Sequence, residues 1–496
     1  MPNKSDHQQS PTLTHQSLKR DLEGRHVQLI SIGGCIGTGL FMGSGKTIAT
    51  SGPSVIMVYA VIGFMLFFVM RAMGELLLSD LKYKSFVDCA EELLGPWAGF
   101  ATGWSYWFAW IVTAIAELIA IAGYFSFWWP DLPTWIPALI AVVILVGINL
   151  LAVRAFGEIE FWFALIKILA ILTLIGVGCY LVATEFVSPE GYRASVSNLW
   201  TQGGFFPTGW SGVMAGFQTA VFAFVGMEIV GTTAAEVRNP LEVMPRAINT
   251  IPVRILMFYI GTLLVLMMVT PWSFISATHS PFVGMFALVG LSAAASVVNF
   301  VVITSAMSST NSGIYSTSRM LYGLSWHQDA SRLFGQLSAR GVPVYGLMLA
   351  GFLLLFAAVL LVMKGSIMEA FQLVGAVSSL LFIFIWTMIL LSYMVYRRRH
   401  PAAHARSVYK MPWGLWMSAI VLVFFVFFIG TLTLDDNSRT ALLILPVWFA
   451  LLMVVYLVKV RNQPHHLTRR QQFKARAQHE LAEARAYNLA QKTADQ

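Results

Sequence analysis

Apolar runs long enough to cross a bilayer follow one another along almost the whole chain, separated by short polar segments. They fall near residues 27–48, 53–73, 97–125, 134–153, 158–183, 211–235, 252–272, 288–322, 343–363, 369–395, 416–434 and 440–460. A helix needs about 20 mostly apolar residues to span roughly 30 Å of hydrocarbon. The pattern therefore predicts an all-α polytopic membrane protein of twelve transmembrane helices, here called spans one to twelve. Clusters such as Ser51-Gly52-Pro53 and Met411-Pro412-Trp413-Gly414 mark the joints. Residues 1–26 and 461–496 are polar tails, and an even number of spans places both on one side.

Charge tests the count independently. With the N-terminal tail inside, 27 of the 32 Lys and Arg residues fall on cytoplasmic segments, and only Lys46, Arg193, Lys364 and Arg439 lie outside. That asymmetry is the positive-inside signature. It also reassigns the net charge of +8, which taken alone suggests nucleic acid, because the basic residues punctuate apolar runs instead of forming a phosphate-binding face. Only 11% of residues are charged, against roughly 25% in a soluble domain. The first 26 residues lack the apolar core of a signal peptide, so span one is expected to be uncleaved. The tail from Arg461 is expected to be solvated, with a surface helix as the alternative. Cys35, Cys89 and Cys179 are too far apart to suggest a disulfide framework or a metal site.

Two local interruptions change the picture. Gly33-Gly34-Cys35-Ile36-Gly37-Thr38-Gly39 places four glycines in the middle of span one. Each costs about 1 kcal/mol in a helix interior relative to alanine. Unwound backbone survives at lipid depth only inside protein or against a cavity, where the N–H groups opening the outer half-helix can hold a carboxylate. Close packing of small residues is the alternative. Five spans later, Phe222-Ala223-Phe224-Val225-Gly226-Met227-Glu228 again sets glycine beside a polar group at mid-depth. Paired interruptions at corresponding positions point to a five-plus-five inverted repeat. The first repeat is expected over 27–183 and the second over 211–395, with 416–460 outside both.

A charge at the bilayer centre costs on the order of 3 kcal/mol on insertion scales, so the few there need a reason. Lys167 lies nine residues into span five, Glu117 deep in span three, Glu228 just after the span-six break and Glu75 near the inner end of span two. Lys167 is a candidate proton-coupling group, and its ammonium could also stand in place of a sodium ion; pairing with a carboxylate or snorkelling is the structural alternative. Glu228 is expected to act in gating or protonation, or else to cap a helix. Glu117 is a candidate for the cavity wall, and Glu75 for pairing with basic residues at the inner gate. The polar run Ser305, Ser308, Ser309, Thr310, Asn311 and Ser312 is expected to bond neighbouring helices, the alternative being to face Gly37. All ten histidines fall in tails and loops, which excludes a histidine relay through the membrane. Gly43-Ser44-Gly45-Lys46-Thr47 imitates the end of a phosphate-binding loop, but Leu40 stands where the first glycine is required.

The runs RHVQLISIGGCIGTGLFMGSGKTI (25–48), RAMGELLL (71–78), FAFVGMEIVGTTAAE (222–236), PRAIN (245–249) and SSTNSGIYSTSRMLYGL (308–324) resemble the amino acid permeases of the amino acid–polyamine–organocation superfamily. The likeness covers residues 18–460. It implies a LeuT-like fold with broken spans one and six, in a multi-pass protein of the bacterial inner membrane with both termini cytoplasmic. It further implies that Gly37, Thr38 and Gly39 hold a substrate carboxylate and that carbonyls of Phe222, Ala223 and Val225 take the α-ammonium. Phe224 and Gly226 belong to the same segment, and Phe222 would close over the substrate. Lys167 and Glu228 match residues of proton-coupled relatives. Cys35 departs from the usual small or aliphatic residue and leaves side-chain selectivity open.

The resemblance implies proton-driven import of small neutral amino acids, with glycine, D-alanine and D-serine as the expected substrates. It implies no cofactor beyond the proton gradient, no metal, no nucleic acid, and a monomer or weak homo-oligomer in the bilayer. An exchanger on the same fold is the nearest rival. A channel should show a continuous polar stripe, a receptor a signalling domain, and a membrane enzyme clustered His, Cys or Asp at lipid depth; none is visible in the sequence.

Overall fold

The computed structural model describes residues 36–151, 153–232, 239–288, 290 and 292–494. Among them the regular elements are helices, joined by one isolated bridge between Val187 and Arg193. Ten helical segments in the described residues are long and apolar enough to cross a membrane. The continuous run Gly43–Ser79 holds the outer end of span one and all of span two. Span four is shorter, an apolar helix over Trp135–Leu150. Span one is described only from Ile36 onward, so its inner half and Cys35 lie outside the described residues.

The centre of the bundle is built from span three (Pro96–Phe125), span eight within Ser292–Trp326 and span ten (Ile367–Arg399). Span ten has 89% of its most apolar window buried and span twelve only 11%, which separates core from periphery. Within lipid no hydrophobic drive separates helix from helix, so close packing and hydrogen bonds must hold the centre. Thr113 on span three bonds Ser378 on span ten at 2.7 Å, and Trp110 and Phe382 of the same two spans meet edge to face at 5.8 Å.

Both interruptions are present. Gly37 has an extended backbone (φ −128°, ψ −162°) and a short helix starts at Thr38, running to Phe41. In span six the helix Gly209–Ala220 tightens into a 3₁₀ turn over Val221–Phe224. The chain then extends at Val225 (ψ 139°) and turns left-handed at Gly226 (φ +98°), a conformation that glycine adopts without steric cost. Helix resumes at Ile229–Thr232.

The two breaks touch. A Cβ on Gly39 would stand 2.5 Å from Ala223 Cα, so only glycine lets the backbones approach this closely.

Polar termini are shaped locally as well. Between spans two and three, Ser85 caps the helix Phe86–Leu94: its hydroxyl accepts from Val87 N, while Asp88 accepts from Ser85 N at 3.2 Å. The tail expected to be solvated is instead a helix, Pro464–Ala494, docked on the bundle. Arg469 pairs with Glu91, Arg476 with Glu92 (2.8 Å), and His400 with Glu480 (3.5 Å). Its isolated composition reads as solvated; long-range ion pairs decide otherwise.

Candidate functional site

The helix opening at Thr38 leaves its first N–H groups without partners inside the helix. Thr38 N donates to both carboxylate oxygens of Glu117, at 3.3 Å each. A Cβ at Gly37 would come within 2.6 Å of the same carboxylate and 3.4 Å of Ser309 Oγ, so the bare backbone of Gly37 is what admits Glu117. Glu117 is only 2% exposed. The Glu117 carboxylate thus stands where the partial positive charge of a helix start favours an anion.

On the other side of the break the orphan is a carbonyl. Ile36 O accepts from Lys167 Nζ at 3.3 Å and from Ser305 Oγ at 3.1 Å. Lys167 is fully buried and lies within electrostatic range of both Glu117 and Glu160. Glu160 accepts from Ser308 Oγ at 2.6 Å, and Asn311 of span eight accepts from Asn149 of span four at 2.7 Å. The span-eight polar run therefore bonds its neighbours, as expected, while Ser309 is the member that does face Gly37.

Glu160, the third residue of the expected span five (158–183), was not among the charges singled out from the sequence. Its signal was the spacing to Lys167: seven residues is two helical turns, which puts both on one face.

In span six the freed groups are partly satisfied by protein. Val225 N donates to Phe222 O at 3.3 Å, and Ala223 O accepts from Tyr259 OH at 2.9 Å. Tyr259 lies in a π-helical turn, Ile255–Gly261, and its ring stacks on Phe224 at 5.0 Å; Tyr59 packs on the other ring neighbour at 5.5 Å. Phe224 is accordingly a packing residue between two tyrosines. Phe222 instead meets Phe371 edge to face at 5.6 Å and lies over Gly375.

Glu228 Oε2 accepts from Gly226 N at 3.2 Å, which is the capping role weighed as the alternative. Its Oε1 is buried with no hydrogen-bond partner, beside Tyr106 and Trp386. Glu75 is remote from these groups. It accepts from Met411 N (2.7 Å) and Tyr393 OH (3.1 Å) and pairs with His404 Nδ1 at 2.5 Å. The sequence brought Gly37, Thr38, Gly39, Glu117, Lys167, Phe222 and Ala223 into one list, and the fold brings them into one place.

The family model for amino acid permeases matches residues 26–469. This chain belongs to the amino acid permease family. The D-serine/D-alanine/glycine transporter of Escherichia coli (strain K12) is 58% identical over 434 residues, covering 88% of this chain and 92% of that protein. The amino-acid permease AapA of Bacillus subtilis (strain 168) is 46% identical over 90% of this chain and 96% of its own. The probable threonine/serine transporter YbxG of the same organism is 40% identical over 90% and 96%. The permease is thus a LeuT-fold membrane protein of a transporter family, helical throughout its regular elements among the described residues.

Proposed function

We propose that this permease imports small neutral amino acids, with glycine, D-alanine and D-serine as its preferred substrates, by proton symport through alternating access. The observation that carries the coupling is the Glu117 carboxylate on Thr38 N. A substrate carboxylate seeks the same helix start, and two carboxylates cannot share it while both are charged. Protonation of Glu117 removes that conflict and frees the N–H for substrate, so a proton travels with each amino acid. Lys167 holds the Ile36 carbonyl and keeps the neighbouring charge balanced through the exchange. The α-ammonium is taken by the carbonyls of Phe222, Ala223 and Val225.

The substrate range rests on the 58% identical relative's name and on tight surroundings: Gly39 against Ala223, and Phe222 closing on Phe371. These leave little room for a large side chain. Glu228 gates, since its free Oε1 lies just beyond the span-six break.

The test is uptake of radiolabelled glycine, D-alanine and D-serine, beside L-phenylalanine and L-lysine, into proteoliposomes under an imposed inward proton gradient. Accumulation of the three small amino acids that a protonophore collapses is the expected result. Rapid exchange against preloaded amino acid without net accumulation would overturn symport in favour of an exchanger.

A further inference from the structure

Away from the membrane centre, three side chains converge where span eight ends and the C-terminal helix begins. After Trp326 the chain turns through Gln328 (φ +59°), and the turn is fixed by Asp329 N donating to Leu324 O at 2.8 Å and by Trp104 Nε1 donating to Asp329 O at 3.2 Å. His465 and His466 lie in the first turn of helix Pro464–Ala494, with ring centroids 4.7 Å apart. His466 Nε2 meets Asp329 Oδ1 at 2.5 Å, and both side chains are essentially buried. One ligand atom from each of Asp329, His465 and His466 lies within 4.8 Å of the other two.

The hydrogen bond between His466 and Asp329 engages one polar atom of each and leaves the others of the cluster out. Asp329 Oδ2, His465 Nε2 and His466 Nδ1 are all buried without a hydrogen-bond partner. Each such atom has given up water without gaining a bond in return. A metal held jointly by Asp329 and His466 replaces the proton between them: His466 then ligates through Nε2 and carries its one remaining proton on Nδ1. Arg469 offers Asp329 Oδ1 and His466 Nε2 a contact at 3.4 Å each, but its closer partner is Glu91, leaving the other edges of the cluster to a cation.

We propose that Asp329, His465 and His466 bind a divalent transition-metal ion of the Zn²⁺ class, fastening the start of the C-terminal helix to the loop that follows span eight. Two imidazoles and one carboxylate suit zinc and its neighbours and not Mg²⁺ or Ca²⁺, which take oxygen ligands. Three protein donors leave a fourth position for water. The site lies apart from the transport centre and does not depend on the substrate or the coupling ion.

His465 is the informative residue, because its Nε2 has no other partner and its removal leaves the Asp329–His466 bond intact. Full-length protein in detergent, with any affinity tag removed and stripped by chelator, is titrated with Zn²⁺ against a chromophoric competitor, with metal content read by mass spectrometry. The expected result is one Zn²⁺ per chain, unaffected by millimolar Mg²⁺. His465→Ala should weaken it by more than about tenfold while the metal-free melting temperature stays unchanged. Asp329→Asn should weaken it similarly. Absence of saturable Zn²⁺ binding by the wild type, or wild-type affinity in His465→Ala, overturns the proposal.

Discussion

Glu117 and Thr38, 79 residues apart in sequence, are joined by a backbone N–H that donates to both oxygens of the buried carboxylate. The start of the outer half of span one is therefore already occupied by a carboxyl group of the protein's own. On the proposed function, substrate displaces or neutralises that carboxyl group, which ties binding to protonation.

Glu117→Gln keeps a carbonyl oxygen for Thr38 N but removes the titratable charge. Net accumulation under a proton gradient should fall by about tenfold or more, since a step of general proton transfer is lost. Exchange of preloaded amino acid should persist. Uptake and counterflow in the same proteoliposomes separate the two, and undiminished proton-driven accumulation would refute the role of Glu117.

Lys167→Gln leaves an amide to bond Ile36 O but removes the fully buried ammonium nine residues into span five. Proton-driven uptake should be abolished, whereas Ser305→Ala, which removes the second bond to the same carbonyl, should cost only about 1 kcal/mol of stability. Equal loss of transport in both variants would mean that Lys167 serves only to hold the carbonyl.

Gly39→Ala forces a Cβ to 2.5 Å from Ala223 Cα. Overpacking of this kind costs about 1–3 kcal/mol, and here the obstacle is backbone, which cannot rotate away. The variant should melt several degrees lower and lose uptake of every substrate. A melting curve and uptake level matching the wild type would show that the two breaks separate readily.

Tyr259→Phe removes the hydroxyl that bonds Ala223 O and keeps the ring stacked on Phe224. A lost hydrogen bond of about 1 kcal/mol should appear as a several-fold higher KM with little change in maximal rate. A fall in maximal rate with KM unchanged would instead place Tyr259 in the conformational step.

Docking of the C-terminal helix should be sensitive to acid through Glu91. Burial pushes the Glu91 carboxyl up, but hydrogen bonds from His327 and Arg469 outweigh it and hold the group down at about 2. A carboxyl held below its ordinary 4.5 stabilises the docked state above about pH 4.5 and loses that contribution as pH falls toward about 2. Hydrogen exchange over residues 464–494 should accelerate across that interval. In Arg469→Ala it should already be fast at pH 7 and depend less on acid; an identical pH profile in both proteins would remove Glu91 from the docking.

The apolar runs, the two interruptions and the intramembrane charges Lys167, Glu117 and Glu228 were legible because each is a local property. Hydropathy over about 20 residues, glycine in a helix interior and a charge at lipid depth all carry their cost wherever the rest of the chain lies. Motifs carried the family for the same reason, being contiguous runs such as 25–48 and 222–236. Other relationships had no local trace. That Glu117 caps Thr38, that Tyr259 reaches Ala223, and that Asp329 meets His466 across 137 positions depends on how helices far apart in sequence are set against each other. The polar C-terminal segment shows the difference most plainly. Its composition favours solvation, yet Arg469 and Arg476 find Glu91 and Glu92 on a helix some 380 residues earlier, about the separation of 378 between Arg469 and Glu91. The sequence by itself determined which segments enter the membrane and where they break, since those choices are made against lipid. Only the tertiary structure decided which buried donor meets which acceptor, since those choices are made against other protein.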